Sequence, residues 1–150
     1  MRARVQRVTS GQVDVREPGG AVRTAGRIGP GLVVFFGVSV SDELPTAEKL
    51  AEKCARLRCF EDEQGKINLD IRQTGGAILV VSQFTLYADT SRGNRPSFSG
   101  AARPDLAVPC YERFVSALRQ LGIPVETGEF GADMLVSIRN DGPVTLMLEL

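Results

Sequence analysis

Three polar side chains that could support chemistry, Ser82, Gln83 and Thr85, follow directly on the apolar segment Ala77–Val81. The apolar run is typical of a strand buried on both faces, and a strand end that opens into a long loop is a common place for a functional site. A hydroxyl at such a position can attack a substrate or orient one by hydrogen bonding. Ser and Thr also often bond to nearby backbone groups, so a purely structural role stays open at this point.

The absence of histidine limits the chemistry that these side chains can do. It excludes a Ser-His-Asp triad, a Cys-His pair and a histidine metal site, and it removes the usual proton carrier at neutral pH. The sequence also contains no GxSxG nucleophile motif and no complete P-loop. An enzyme with this composition must take its base from another side chain, the backbone or its own substrate, and we expect neither a metal ion nor a cofactor.

Positive charge collects in a long loop that is predicted over residues 87–104. Arg92, Arg95 and Arg103 lie there with no acidic residue between them, and the planar guanidinium suits bidentate contacts to phosphate. The chain as a whole has 18 basic and 18 acidic residues, which argues against extensive coating by nucleic acid. The three arginines are therefore candidates for a few phosphate contacts, with a solvated loop as the alternative.

The three cysteines, Cys54, Cys59 and Cys110, form no CxxC pair and are odd in number. This pattern is typical of reduced thiols in a cytoplasmic protein. The N-terminus has no apolar segment of the signal-peptide kind, and no apolar run is long enough to span a bilayer. We therefore expect a cytoplasmic protein without a membrane partner.

Hydrophobic patterning predicts one α+β domain over residues 1–150 with a mostly antiparallel sheet. Segments with apolar residues at helical spacing follow Pro45 and Asp105 and predict two helices, the second of which ends near Leu121. Alternating or continuous apolar runs predict strands over residues 5–15, 21–28, 32–38, 77–83, 124–129, 134–140 and 144–150. The polar segment after Val81 thus lies at a strand end.

The segment Asn140-Asp141-Gly142-Pro143 separates the last two predicted strands. Asp-Gly is a strong signal for a hairpin turn, and proline is tolerated at the first residue of a strand. Taken by itself, the segment predicts a plain hairpin turn.

Several short motifs, taken in their order and spacing over the whole chain, resemble one family, the D-aminoacyl-tRNA deacylases, formerly called D-tyrosyl-tRNA deacylases. Each motif is weak alone, and their joint arrangement is specific. The motifs are Gln6-Arg7-Val8-Thr9, Gly65-Lys66-Ile67-Asn68-Leu69, Ser82-Gln83-Phe84-Thr85-Leu86-Tyr87-Ala88-Asp89, Arg95-Pro96-Ser97-Phe98, Phe130-Gly131-Ala132-Asp133-Met134 and Asn140-Asp141-Gly142-Pro143-Val144-Thr145.

The resemblance implies a homodimer with a barrel-like sheet in each subunit and an active site at the subunit interface. It implies an editing hydrolase that cleaves the ester between a D-amino acid, or glycine, and the 3′ end of tRNA. The pair Gly142-Pro143 corresponds to the family's Gly–cis-Pro signature, which reaches into the pocket of the partner subunit. Rejection of L-amino acids is expected to depend on this pair.

The resemblance also implies roles for the residues of two other motifs. Ser82–Leu86 corresponds to the floor of the pocket, where Gln83, Phe84 and Thr85 are expected to be catalytic and Ser82 to bind substrate. Phe130 and Met134 match positions near the terminal adenosine of the tRNA.

These residues suggest a mechanism that needs no histidine. In a cis X–Pro unit the neighbouring carbonyls can accept hydrogen bonds from the substrate's ammonium group, and Gly142 lets the substrate's Cα come close. Rigid backbone then blocks an L side chain, whereas glycine has none to exclude. Backbone N–H groups around Phe84 and Thr85 could stabilise the oxyanion while the ribose 2′-hydroxyl assists. Thr85 is expected to position the substrate, and Thr85 as a nucleophile is the rival interpretation.

Three alternative functions stay open on the sequence. The chain could be a non-catalytic module that binds RNA ends. It could be an esterase for small molecules that uses Ser82 or Thr85 as its nucleophile. It could also be a purely structural dimer, which the polar strand end makes least attractive.

Overall fold

A computed structural model describes residues 1–150, in which three consecutive strands precede the first helix. The strands are β1 (Arg2–Arg16), β2 (Val22–Ile28), β3 (Gly31–Gly37), β4 (Phe60–Glu61), β5 (Ile67–Leu69), β6 (Ala77–Ser82), β7 (Val125–Thr127) and β8 (Met134–Glu149). The helices are α1 (Leu44–Ala55), α2 (Ile71–Thr74) and α3 (Pro104–Gln120), and a 3-10 helix covers Phe84–Tyr87.

The main sheet is ordered β2-β1-β3-β6-β7, and β8 pairs with β1. Strand β1 is antiparallel to each of its three neighbours, pairing with β3 through its first half, with β2 through its second half and with β8 along most of its length. Strands β3, β6 and β7 are mutually parallel, and the continuous apolar sequence of β3 and β6 fits strands covered on both faces.

Two glycines permit the close approaches that curl this sheet into a nearly closed barrel. A Cβ at Gly26 in β2 would lie 2.6 Å from the Thr127 carbonyl oxygen of β7, so the two sheet edges meet only because a side chain is missing there. A Cβ at Gly11 would lie 2.6 Å from Val33 Cγ2, where β1 passes from one neighbour to the other. The barrel-like sheet implied by the family resemblance is confirmed.

The larger hydrophobic core lies between the sheet and helices α1 and α3, and a smaller core fills the barrel. Phe114 of α3 is fully buried, and its ring centroid lies 4.5 Å from that of Phe36 in β3. This contact joins the helix layer to the strand that leads to the pocket described below. None of the helices is both long and apolar enough to cross a membrane.

Replacing Phe114 with alanine is expected to lower the free energy of unfolding by about 3–5 kcal/mol, because the truncation leaves a cavity between α3 and the sheet. Chemical denaturation followed by circular dichroism would measure the loss. A matched change at Arg113, an exposed neighbour on the same helix, to alanine is expected to cost less than about 1 kcal/mol. Equal losses in the two variants would show that Phe114 does not anchor the core.

The two predicted helices are confirmed as α1 and α3, and the structure adds short elements that the sequence analysis missed. Helix α2 has only four residues and is held by Asp70, whose side chain accepts from the N–H groups of Arg72 and Gln73, while the Gln73 side chain accepts from Asp70 N–H. The sheet is mixed because the connections through α1 and α3 cross over its face and return parallel strands.

The prediction of a hairpin turn at Asn140–Pro143 is wrong. The two predicted strands form one strand, β8, which continues along β1 on both sides of this segment. Gln6 is opposite Thr145 and Val8 is opposite Asn140, so four residues of β8 face a single residue of β1. The segment is therefore a large bulge, hereafter the 141–144 bulge, and its Gly142–Pro143 peptide bond is cis. Long-range pairing with β1 outweighs the local turn signal.

Candidate active site

A pocket of about 440 Å³ opens where β3 and β6 end, beside the first two turns of α3. A volume of this size suits a small ligand or the end of a larger one. Eleven of its seventeen lining residues are hydrophobic. Of the residues singled out in the sequence, the pocket brings together Ser82, Gln83, Phe84, Phe130 and Met134.

The floor of the pocket is the end of β6, which β3 holds in place. The Gln83 N–H donates to the Phe36 carbonyl oxygen at 2.8 Å, which continues the pairing of the two strands one step past Ser82. Gly37 lies beneath this turn, where only a residue without a side chain fits. A Cβ at this position would lie 2.9 Å from the Gln83 carbonyl oxygen, which is too close. The strand end is thus fixed by the backbone, as a site that must hold its geometry requires.

The 3-10 helix that starts at Phe84 presents free backbone donors. The first N–H groups of a helix have no intrahelical acceptor, and neither Phe84 N–H nor Thr85 N–H donates to any backbone or side-chain oxygen of the chain. Phe84 and Thr85 are both exposed. Two adjacent N–H groups at the edge of an apolar pocket are suited to hold a carbonyl oxygen or an oxyanion.

Thr85 has no base beside it. Its Oγ1 accepts a hydrogen bond from Gln83 Nε2, and an amide cannot take a proton from a hydroxyl in either of its orientations. Tyr111 also lines the pocket, where its hydroxyl donates to the Val80 carbonyl oxygen at 3.0 Å, and burial raises its pKa to about 12. The phenol therefore stays protonated at neutral pH and cannot serve as a general base.

The cysteines offer no nucleophile either. All three are free and buried, and burial raises the pKa of the Cys54 thiol to about 12. A thiolate is the reactive form, so this thiol is inert at neutral pH. No group of three or more Cys, Asp or Glu side chains is arranged to hold a metal ion.

One wall of the pocket is the segment 130–134, which contains Phe130 and Met134. The Phe130 ring meets Tyr111 edge-on with centroids 6.1 Å apart. Tyr111 and Asp133 line the pocket although the sequence analysis did not select them as site residues. In the sequence Tyr111 is one residue of the apolar stripe of the second helix, whereas the position of Asp133 within the Phe130–Met134 motif is a signal that could have found it.

Two arginines of the β1–β2 hairpin hold the 130–134 segment in place. Arg23 makes ion pairs with Glu17 of the hairpin and with Glu129, directly before Phe130. Arg16 N–H donates to the Asp133 carbonyl oxygen at 2.9 Å, so the wall is held at both ends.

Replacing Arg23 with glutamine is expected to raise KM for the substrate of this pocket by about threefold to tenfold and to change kcat little. The reason is that the exposed ion pair adds little stability, whereas the Phe130 wall loses one of its two anchors. Steady-state kinetics would measure both constants, with Arg27→Gln on the same strand as the control. A tenfold fall in kcat at unchanged KM would contradict this role.

Gly142 and Pro143 lie away from the pocket of their own chain and are exposed at the 141–144 bulge. Arg7 supports the bulge from below: its side chain is buried, and its Nε lies 2.8 Å from Asp141 Oδ2. Gln6 Nε2 donates to Asn140 Oδ1 at 3.0 Å at the start of the bulge. The chain therefore holds the pocket and the bulge as two separate features.

The three arginines proposed for phosphate contacts are exposed and make no ion pair in the structure. Arg103 lies between Ala102 and Pro104, which both line the pocket, so it stands at the rim. Arg92 and Arg95 belong to the loop between the 3-10 helix and α3 and do not line the pocket. Their contact to phosphate stays a prediction.

The family model described as D-Tyr-tRNA(Tyr) deacylase matches residues 4–149. The chain belongs to this family. The deacylase chain is 55% identical over 149 residues to the D-aminoacyl-tRNA deacylase of Symbiobacterium thermophilum, covering 99% of this chain and 95% of that protein. It is 52% identical to the D-aminoacyl-tRNA deacylase of Deinococcus radiodurans, with 100% of both chains covered.

Solved structures agree with the fold of this deacylase. A protein named c-Myc DNA Unwinding Element Binding Protein superposes with a TM-score of 0.90 at 40% identity, covering 100% of this chain and 99% of that one. A probable eukaryotic D-amino acid tRNA deacylase superposes with a TM-score of 0.77 at 20% identity, covering 99% and 98% of the two chains, and supports the fold alone. The predicted enzyme class, a hydrolase of the D-aminoacyl-tRNA deacylase type, is confirmed by the family match and these relatives.

Proposed function

We propose that this deacylase removes D-amino acids and glycine from the 3′ end of tRNA as a homodimer. In this dimer the 141–144 bulge of one subunit enters the pocket of the other. The observation that carries the proposal is the separation of the two features. The pocket offers apolar walls and two free N–H donors, and the exposed bulge offers backbone carbonyls and does not line the pocket of its own chain.

The surface around the bulge supports association of two subunits. Strand β8 pairs only with β1, so its other edge is unpaired. Leu135, Leu146 and Met147 on this strand are 46%, 39% and 53% exposed. An open strand edge with large exposed apolar side chains is a surface that proteins usually cover, and these residues flank the bulge on both sides.

The bulge would provide the chiral filter. Backbone carbonyls near Gly142 and Pro143 would accept hydrogen bonds from the α-ammonium group while the pocket holds the ester. With these two substituents fixed, the Cα hydrogen and side chain can exchange places only by inverting the chirality. Backbone in the direction of an L side chain excludes it, and glycine passes because it has no side chain.

The chemistry would need no ionisable side chain. The Phe84 and Thr85 N–H groups would donate to the ester carbonyl oxygen as it becomes an oxyanion. Water adds to the carbonyl carbon, and the bond from that carbon to the ribose 3′ oxygen breaks. The 2′-hydroxyl relays a proton from the attacking water to the leaving 3′ oxygen, so the products are the free amino acid and intact tRNA. Thr85 would position Gln83 and the substrate rather than attack.

The remaining site residues would bind the other parts of the substrate. Arg103 at the rim, with Arg92 and Arg95 in the adjoining loop, would contact phosphates of the acceptor end. Phe130 and Met134 would contact the terminal adenosine, and Ser82 the aminoacyl group. The enzyme would act in the cytoplasm, where charged tRNA is used and where three free thiols stay reduced.

The test is deacylation of matched D-tyrosyl-tRNA and L-tyrosyl-tRNA by catalytic amounts of the protein. Rapid loss of the D ester alone, with many turnovers per protein, would support both the activity and the filter. Cleavage of neither ester by an intact dimer would favour a module that only binds RNA ends. Equal cleavage of a simple ester without ribose would favour a general esterase, because assistance by the 2′-hydroxyl is absent there.

A further inference from the structure

A shallow depression at the C-terminal end of α1 collects positive charge and shares no lining residue with the pocket. Its lining contains four basic side chains and a single carboxylate. The four, hereafter the α1 basic patch, are Lys49, Lys53, Arg56 and Arg58. Two of the chain's three lysines lie in this patch.

The charges of the α1 basic patch are mostly unpaired. Lys49 and Lys53 form no ion pair and no hydrogen bond, and the only carboxylate of the depression, Glu52, lies 3.9 Å from Arg56. All four basic side chains are exposed. In a chain with balanced charge, a cluster of positive side chains without paired carboxylates attracts an anion.

Helix stability explains only part of this arrangement. A cation in the last turn complements the partial negative charge at a helix C-terminus, which accounts for Lys53. Lys49 lies one turn earlier, and two lysines spaced i, i+4 repel each other and weaken the helix slightly. A partner that carries negative charge would account for both lysines.

A chain of short contacts joins the α1 basic patch to the 141–144 bulge. Arg58 is followed by Cys59, whose carbonyl oxygen accepts from Arg7 Nη1 at 2.7 Å. The same guanidinium has its Nε 2.8 Å from Asp141 Oδ2 of the bulge. Neither Arg7 nor Cys59 lines the pocket of its own chain. The patch is therefore linked through Arg7 to the bulge, by residues that do not belong to the lining of that subunit's pocket.

We propose that the α1 basic patch binds the phosphodiester backbone of a tRNA whose aminoacyl end occupies the pocket of the other subunit. This inference rests on the proposed function, in which the bulge enters that pocket. The subunit whose bulge provides the chiral filter then also binds phosphates of the same tRNA through its α1 basic patch. Each bound tRNA is held by both subunits, by one at its ester and by the other along its backbone.

The experiment compares two substrates with the Lys49→Gln/Lys53→Gln double variant. For D-tyrosyl-tRNA we expect KM to rise at least about tenfold at unchanged kcat. We also expect the slope of log KM against log salt to fall by about 0.9 for each phosphate that the variant no longer neutralises. For 3′-D-tyrosyl-adenosine, which has no phosphate, we expect no change in either constant. The matched control is Arg27→Gln/Arg119→Gln, which removes the same charge elsewhere on the surface.

The two proposals fail in distinguishable ways. If the wild-type protein cleaves neither substrate, the proposed function is wrong. If the wild-type protein cleaves both and the double variant has an unchanged KM and salt slope for the tRNA, only the basic patch is wrong. If the control variant shifts KM as much as the double variant, net charge is the cause, and the assignment of a specific site is overturned.

Mixed dimers test whether the patch acts on the other subunit's pocket. A Gly142→Ala change in one subunit should disable the pocket that its bulge enters, which leaves one working pocket. When the lysine changes are in the other subunit, whose bulge serves the working pocket, KM should rise. When they are in the same subunit as Gly142→Ala, KM should stay at the wild-type value. The opposite pattern would place the patch beside its own pocket.

Discussion

Replacing Gly142 with alanine is expected to lower kcat/KM for D-aminoacyl-tRNA at least about a hundredfold without changing the stability of the subunit. In the free subunit a Cβ at this position has Asn140 Nδ2, at 3.7 Å, as its nearest neighbour, which is ordinary van der Waals contact. In the proposed dimer the same Cβ would occupy the space of the substrate's Cα. A displacement of about 1 Å at a reacting group can cost about a hundredfold in rate.

The measurement is single-turnover deacylation beside a thermal melt and a determination of the oligomeric state. The matched control is Gly29→Ala, a turn position with no atom within 4 Å of the added Cβ. If the Gly142→Ala protein remains dimeric and fully active, the bulge is not part of the active site. Loss of the dimer together with activity would assign Gly142 to association instead of substrate selection.

Removing the 2′-hydroxyl of the terminal adenosine is expected to lower the enzymatic rate by about 10²–10⁴-fold, the usual value of a positioned proton-transfer group. Thr85→Ala is expected to lower it by less than about tenfold. The reason is that Thr85 Oγ1 accepts from an amide and has no base to activate it, whereas the substrate carries a hydroxyl beside its own ester. Of these two changes, only the removal of the 2′-hydroxyl takes away the group that transfers the proton.

The comparison uses tRNA ending in 2′-deoxyadenosine and charged on its 3′ oxygen, with each rate divided by the uncatalysed hydrolysis of the same ester. Thr85→Ser is the conservative control for Thr85→Ala. A loss of several orders of magnitude in Thr85→Ala, with binding kept and activity retained in Thr85→Ser, would establish Thr85 as the nucleophile. An unchanged rate on the deoxy substrate would exclude assistance by the 2′-hydroxyl.

The local features of this protein were determined by its sequence. Apolar periodicity located strands β1, β2, β3 and β6 and helices α1 and α3 close to their observed bounds. Side chains repeat every two residues in a strand and about every 3.6 in a helix, so burial on one face leaves a pattern that needs no knowledge of the neighbours. The change from apolar to polar residues after Val81 likewise located the pocket floor, and the absence of histidine limited its chemistry.

The tertiary structure decided which distant segments meet. The residues Asn140–Pro143 have the composition of a hairpin turn, yet they form a bulge because β8 pairs with β1 on both sides of it. Tyr111 joined the pocket because α3 packs beside the ends of β3 and β6. Arg7 joined Cys59 to Asp141 and so brought the α1 basic patch to the bulge. Such contacts depend on pairing and packing energies between segments far apart in the chain, and the periodic pattern within one segment does not say which distant segment it will meet.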